Sequence, residues 1–247
     1  MVSKELLSKY FETRAHFMHR LEKLEEEYLT KYYWMLDHIK RFLPHNSDAQ
    51  ILVLGCGLGH EVYALNKMGY RNVLGVDIDC KQVEICRAKG VNCLCADVIE
   101  YLENVDKTFD VILMFNLLEH FNLDEALKLC RICHMKLPKN GRLILLVPNA
   151  SNPIATHMIY SDLTHRIGAF TETSTIQLLK AAGFGRVIVS NVKTYGRYDH
   201  RFTKRILKII GTIIIHITWQ IIRLMYLLNG INPPKVVSND LLAIAIK

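Results

Sequence analysis

The run Ile51-Leu52-Val53-Leu54 passes without a break into Gly55-Cys56-Gly57-Leu58-Gly59, and a helical pattern opens at Glu61. A strand that feeds a helix through three glycines constrains the chain more than any other feature here. Glycines let the backbone turn tightly and approach a ligand closely, and the helix N-terminus that follows offers free N–H groups. The spacing is G-x-G-x-G rather than the GxGxxG of a pyrophosphate-binding turn, so a ligand held there needs no diphosphate.

The same rhythm continues down the chain. Candidate strands fall at 51–54, 72–76, 92–95, 111–115, 142–147, 187–192 and 241–246, and helical patterns at 61–68, 81–89, 124–135 and 173–182 separate most of them. Strands alternating with helices predict βαβ units and a mostly parallel, doubly wound α/β sheet. Residues 1–45 read as an N-terminal helical cap, dense in charge and carrying an aromatic cluster (Tyr28, Tyr32, Tyr33, Trp34) in which Trp34 is expected as core. The core spans 46–194, a basic and apolar helical insertion 195–237, and the final strand of the core 238–247.

At 247 residues and 50% hydrophobic the chain fits one large domain and is too apolar to be disordered. Its net charge of +7 suits nucleic acid, anionic lipid or a phosphorylated substrate without choosing among them. Seven cysteines, odd in number and scattered through apolar runs, read as reduced structural thiols, and the first ten residues carry no apolar leader pattern, so a cytoplasmic location is expected. Cys130-Arg131-Ile132-Cys133-His134 spells a haem-attachment motif, but it lies in a predicted amphipathic helix without an export signal, which argues against haem.

About twenty residues beyond the glycine loop the second strand ends at Asp77, where an acid can take both hydroxyls of a ribose; the competing reading is a helix N-cap. Asp97 follows the third strand and is placed to accept from an adenine amino group, or is a turn aspartate. Together, Ile51–Gly59, Gly75-Val76-Asp77-Ile78, Ala96-Asp97-Val98, Phe109-Asp110-Val111-Ile112, Leu118-Glu119-His120 and Leu137-Pro138-Lys139-Asn140-Gly141-Arg142-Leu143 resemble the ordered motifs of class I S-adenosylmethionine-dependent methyltransferases. The resemblance implies a seven-stranded, Rossmann-like sheet with a reversed final hairpin and S-adenosylmethionine as cofactor. It places the glycine loop under the methionine part, Asp77 on the ribose and Asp97 at the adenine. The cofactor-binding set expected is Gly55, Cys56, Gly57, Gly59, Asp77, Ile78, Asp97, Val98 and Asn116. One departure is Val53-Leu54, where many members carry an acid.

In a doubly wound sheet ligands lie beyond the carboxyl ends of the strands, so the loop Asn116-Leu117-Leu118-Glu119-His120 faces the transferred methyl. A carboxylate beside an imidazole works as a general base or ligates a divalent metal; the plainer reading has Glu119 capping a helix and His120 packing under the sheet. Downstream, Pro148-Asn149, Asp162-Leu163-Thr164-His165, Phe170-Thr171 and Ala182-Gly183-Phe184 resemble a series common in methyltransferases of surface-polysaccharide and lipid-linked sugar pathways. Glu119, His120 and His165 also match three of four positions of the metal loop in small-RNA and ubiquinone-type O-methyltransferases, with Asn116 where the first Glu stands; this implies Mg or Mn. His165, His120 and Glu119 are therefore the catalytic candidates, and the same three the candidate metal ligands.

The leading expectation is O-methylation of a sugar or sugar-like acceptor, small or lipid-linked, in capsule or lipopolysaccharide biosynthesis. N-methylation of an amine, amide or phosphoramidate that modifies such a glycan is the alternative. A nucleic-acid-binding methyltransferase-like module is a third, and it is disfavoured because the basic residues do not interleave with aromatics. A homodimer is allowed. The stretch 209–222 has no charged residue, but its 14 residues fall short of the roughly 20 that span a bilayer. Its helix either packs as a lid or on a partner subunit, or lies at the inner face of a membrane with 201–228, Arg201, Lys204, Arg205 and Lys208 meeting anionic headgroups.

Overall fold

The computed structural model describes residues 24–161, 168–192 and 202–247. Seven strands form one sheet: β1 (Gln50–Leu54), β2 (Asn72–Asp77), β3 (Cys93–Cys95), β4 (Val111–Phe115), β5 (Arg142–Pro148), β6 (Arg186–Asn191) and β7 (Asp240–Ile246). The described helices are α1 (Leu24–His38), α2 (His60–Lys67), α3 (Cys80–Ala88), α4 (Val98–Asn104), α5 (Leu123–Lys136), α6 (Pro153–Ser161), α7 (Glu172–Ala181) and α8 (Phe202–Leu228). The order across the sheet is β3-β2-β1-β4-β5-β7-β6, with β7 antiparallel to both neighbours and the remaining pairs parallel. The seven-stranded, doubly wound architecture expected from the alternating pattern is the one observed.

Every residue of β4 is buried, because helices cover both faces of the sheet. One apolar layer gathers Leu52, Leu54, Ile112 and Leu143 under α4, α5 and α7; the other gathers Ile51, Val53, Leu113 and Ile144 under α1, α2 and α3. Trp34 lies in the second layer against Phe115, at a centroid distance of 6.0 Å. The chain winds one way from β1 through β2 to β3 and the other way through β4 and β5, so a crevice opens between the carboxyl ends of β1 and β4.

Two helices escaped the sequence pattern. In α4 only Val98, Ile99 and Leu102 are buried, too short a stripe to show a period, and Asp97 caps it by accepting from the amides of Ile99 and Glu100. In α6, the Asn152 side chain accepts from Ile154 and Ala155 ahead of Pro153, a start hidden in what reads as loop.

The expectation of uniformly reduced thiols is corrected. Cys80 at the start of α3 and Cys95 at the end of β3 form a disulfide, while Cys56, Cys86, Cys93, Cys130 and Cys133 are free and buried. The parallel pairing of β2 with β3 sets Asp77 beside Cys95 and so brings the two sulfurs together, a proximity that depends on register and is invisible in sequence spacing. Cys130 and Cys133 lie inside α5, where burial pushes the Cys130 thiol up to about 12, in keeping with core thiols rather than haem attachment. Among the described residues no helix is long and apolar enough to cross a membrane.

Candidate active site

The glycine loop is built as a cradle. Gly55, Gly57 and Gly59 have φ of +67°, +50° and +76°, the left-handed region that side chains rarely adopt. A Cβ on Gly55 would lie 2.9 Å from Leu117 Cδ1, and one on Gly59 would lie 2.9 Å from Val91 Cγ1. The loop is held on its strand side by the amides of Gly55 and Cys56, which donate to the Val76 carbonyl at 2.8 and 3.2 Å. Cys56 enters the loop through its backbone; its thiol is buried at 3.7 Å from Cys93. Cys86, which donates to the Gly57 carbonyl at 3.3 Å, completes a thiol cluster behind the loop. Hydrogen bonds from Cys56 and Cys86 hold the Cys93 thiol below its ordinary value.

Asp77 closes β2 and organises the next layer. Its Oδ2 accepts from the Gly57 amide at 2.6 Å and its Oδ1 from the Asp79 amide at 2.9 Å. Burial pushes this carboxyl above its ordinary value, and those two amides pull partly against it. Each oxygen retains a lone pair for a ribose hydroxyl. The N-cap role belongs instead to Asp79, which accepts from Lys81 and Gln82 at the start of α3. Ala96 donates to the Asp77 carbonyl at 2.9 Å, which sets Asp97 beside the same crevice. Asp97 makes both of its capping bonds through Oδ1, leaving Oδ2 for an adenine amino group. Ile78, 37% exposed, and the buried Val98 stand next to the two acids as apolar faces for a base. A crowded cradle and carboxylates at two neighbouring strand ends fit a nucleoside cofactor without a diphosphate.

Beyond β4, Asn116 has φ of +52°, uncommon for a residue with a side chain. Its Nδ2 donates to Glu119 Oε1 at 3.4 Å. Glu119 is fully buried in the turn Leu118–His120, and Gly168 is packed so closely on it that a Cβ would lie 3.0 Å from the Glu119 carbonyl oxygen. His120 is half-buried in the same turn. Of the expected metal ligands, Glu119 and His120 lie among the described residues. The amide at position 116 turns its hydrogens toward the carboxylate, whereas a cation needs oxygen or imidazole lone pairs. Among the described residues no group of three His, Cys, Asp or Glu side chains is arranged to hold an ion. His165 lies outside the described residues.

The Pro-Asn and Phe-Thr residues knit this edge together. Asn149, fully buried, donates Nδ2 to the carbonyls of Val236 and Ser238, and the Ala150 amide donates to the Phe170 carbonyl at 2.8 Å. Thr171 caps α7 through a capping box with Ser174.

Sequence reasoning missed several residues here. Gln82 is buried beneath the loop; its Nε2 donates to Asp79 Oδ2 at 2.8 Å while its Oε1 faces Gly57. Tyr28 of α1, already part of the aromatic cluster singled out in the sequence, donates to the Leu58 carbonyl at 2.7 Å and stacks on Tyr63, fastening α1 to the glycine loop. Lys31 pairs with Glu61 at 2.6 Å; burial alone would raise the Glu61 carboxyl, but Lys31 and His60 hold it below its ordinary value. Asp240, the first residue of the reversed β7, pairs with Pro148 at the carboxyl edge of the sheet. Burial pushes its carboxyl up to about 6 while Lys31 opposes the shift. The expected reversal of the last strand was the signal that could have found it, since a reversed strand begins where its neighbours end.

Comparison with known proteins agrees with the fold. Residues 51–141 match the family described as methyltransferase domain. The mRNA cap guanine-N(7) methyltransferase of Schizosaccharomyces pombe is 30% identical over 139 residues, 49% of this chain and 38% of that protein. The chain spans less than two thirds of the length of the curated relatives it matches. Among solved structures, a SAM-dependent methyltransferase from Archaeoglobus fulgidus superposes with a TM-score of 0.64 at 21% identity, over 94% of this chain and 100% of that one. Magnesium protoporphyrin IX methyltransferase from Synechocystis, with bound SAH, gives a TM-score of 0.60 at 16% identity over 99% of both chains.

Proposed function

We propose that this chain, which carries a methyltransferase domain of the class I fold, moves the methyl group of S-adenosylmethionine onto a hydroxyl of a sugar or sugar-like acceptor in surface-glycan biosynthesis. The observation that carries the cofactor half is the glycine cradle tied to Asp77, with Asp97 one strand further along. The bound cofactor supplies an electrophilic methyl on a sulfonium. Gly55, Gly57 and Gly59 admit its methionine part, Asp77 orients the ribose, and Asp97 with Ile78 and Val98 holds the adenine. The remaining work is to set an acceptor oxygen in line with the methyl, a positioning task. His120 on its turn, or His165 in the segment between α6 and Phe170, takes the hydroxyl proton.

The acceptor half is supported by the resemblance carried by the series Pro148-Asn149, Asp162-Leu163-Thr164-His165, Phe170-Thr171 and Ala182-Gly183-Phe184; of its described members, Asn149 and Phe170 pair at the carboxyl edge of the sheet, whereas Ala182-Gly183-Phe184 precede β6 at the opposite end. The test offers nucleotide sugars, lipid-linked sugars and amines in parallel and measures S-adenosylhomocysteine release with mass analysis of the product. Methyl transfer to amines alone would replace this reading. In the O-methylating enzyme, His165→Ala slows turnover far more than it weakens cofactor binding.

One observation favours a second reading, methylation at nitrogen: the Schizosaccharomyces pombe relative is named for a guanine-N(7) reaction. A nitrogen nucleophile needs little help from a base, so under that reading His165→Ala retains its full rate.

A further inference from the structure

We propose that α8 is a docking element for an anionic lipid surface. Its described side chains divide into two faces. Ile210, Ile213, Ile217, Ile221, Leu224 and Leu228, spaced three and four apart, form one stripe, exposed from 48% at Ile210 to 77% at Leu228. Trp219 is buried and Ile222 and Tyr226 are half-buried on the other side. An aliphatic stripe facing outward is not covered by the helix's own domain.

Charge identifies the occupant. Residues 200–239 contain no Asp or Glu and six cations, Arg201, Lys204, Arg205, Lys208, Arg223 and Lys235, so this segment holds +6 of the chain's net +7. A second copy docking through the same face would set one such segment against another. An anionic bilayer does the reverse: it takes the apolar stripe to a depth of about 5–10 Å and offers headgroups to the cations. The helix is 27 residues, about 40 Å long, and lies along a surface rather than crossing it. The chain leaves β6 and re-enters at Asp240 on the same carboxyl edge of the sheet, so a docked α8 holds the acceptor edge near the lipid.

Co-sedimentation of the full chain with phosphatidylcholine vesicles, and with vesicles containing phosphatidylglycerol, tests this directly. Binding to the anionic vesicles alone is expected, weakening on the order of tenfold at high salt, and Ile217→Ser/Ile221→Ser weakens it by a similar factor with unchanged far-ultraviolet circular dichroism. Three results overturn the proposal: no binding to anionic vesicles at low salt, binding by the double variant equal to that of the unsubstituted chain, or a dimer in solution that the double variant converts to monomer. If the double variant fails to fold, Lys204→Glu/Lys208→Glu replaces it, and retained binding by that pair counts against the proposal equally.

Discussion

The amide of Gly57 donates to Asp77 Oδ2 at 2.6 Å, so the glycine loop after the first strand is fastened to the end of the second by the carboxylate proposed to take the ribose. Asp77→Asn preserves shape but removes charge. Because hydrogen bonds to a charged group contribute about 1.5–3 kcal/mol, S-adenosylhomocysteine affinity should fall on the order of tenfold to a hundredfold by calorimetry. Burial raises the Asp77 carboxyl, so acidification neutralises it sooner than an ordinary aspartate. Affinity is therefore lost as pH falls through that raised value, and unchanged binding in the variant would remove Asp77 from the ribose.

Asp240 has the opposite sign for stability. Its carboxyl is raised from 3.8 to about 6, so both folded and unfolded chains hold the proton only at about pH 2, and stability is lost as pH rises through the unfolded value and on through the folded one. Asp240→Asn should leave stability unchanged at about pH 2 and raise the melting temperature at about pH 8, where the gain in unfolding free energy is on the order of 1–3 kcal/mol. A variant less stable at pH 8 would mean that the ionised carboxylate and Lys31 form a favourable pair.

Gly75 lies in the middle of β2 with the thiol cluster against its back. A Cβ there would lie 2.7 Å from Cys56 Sγ and 2.9 Å from Cys93 Sγ. Gly75→Ala should cost about 1–3 kcal/mol in denaturant unfolding, as overpacked interiors do. Pairing it with Cys93→Ala should recover part of the loss, whereas purely additive effects would place the strain elsewhere.

Chelation tests the loop after β4. Since Asn116 turns an amide N–H toward Glu119, EDTA should leave turnover unchanged. Activity that EDTA abolishes and Mg or Mn restores would show that His165 brings the set to completion.

Much of this was legible in the sequence because each strand carries its own signal: β-branched and leucine runs with glycines or acids at their ends locate all seven within a residue or two. The neighbourhood of Gly57, Asp77 and Asp97 followed, since all three stand at strand ends that a doubly wound sheet brings together. Contacts set by register or by reversal were not legible. Cys80 meets Cys95 because β2 and β3 are parallel and in step, and Asp240 meets Lys31 because β7 runs backwards. Asp97 spends its Oδ1 on capping α4, a short helix whose stripe carries no period.

The place of β7 between β5 and β6 has a consequence in time. During synthesis β6 emerges with no neighbour to pair with, and its partner follows about 50 residues later, several seconds at roughly 5–20 residues per second. Throughout that interval an open strand edge and the greasy stripe of α8 are both presented to whatever surrounds the ribosome. An early landing of α8 on a bilayer would shelter the nascent chain until residues 240–246 slot into the gap and lock the sheet.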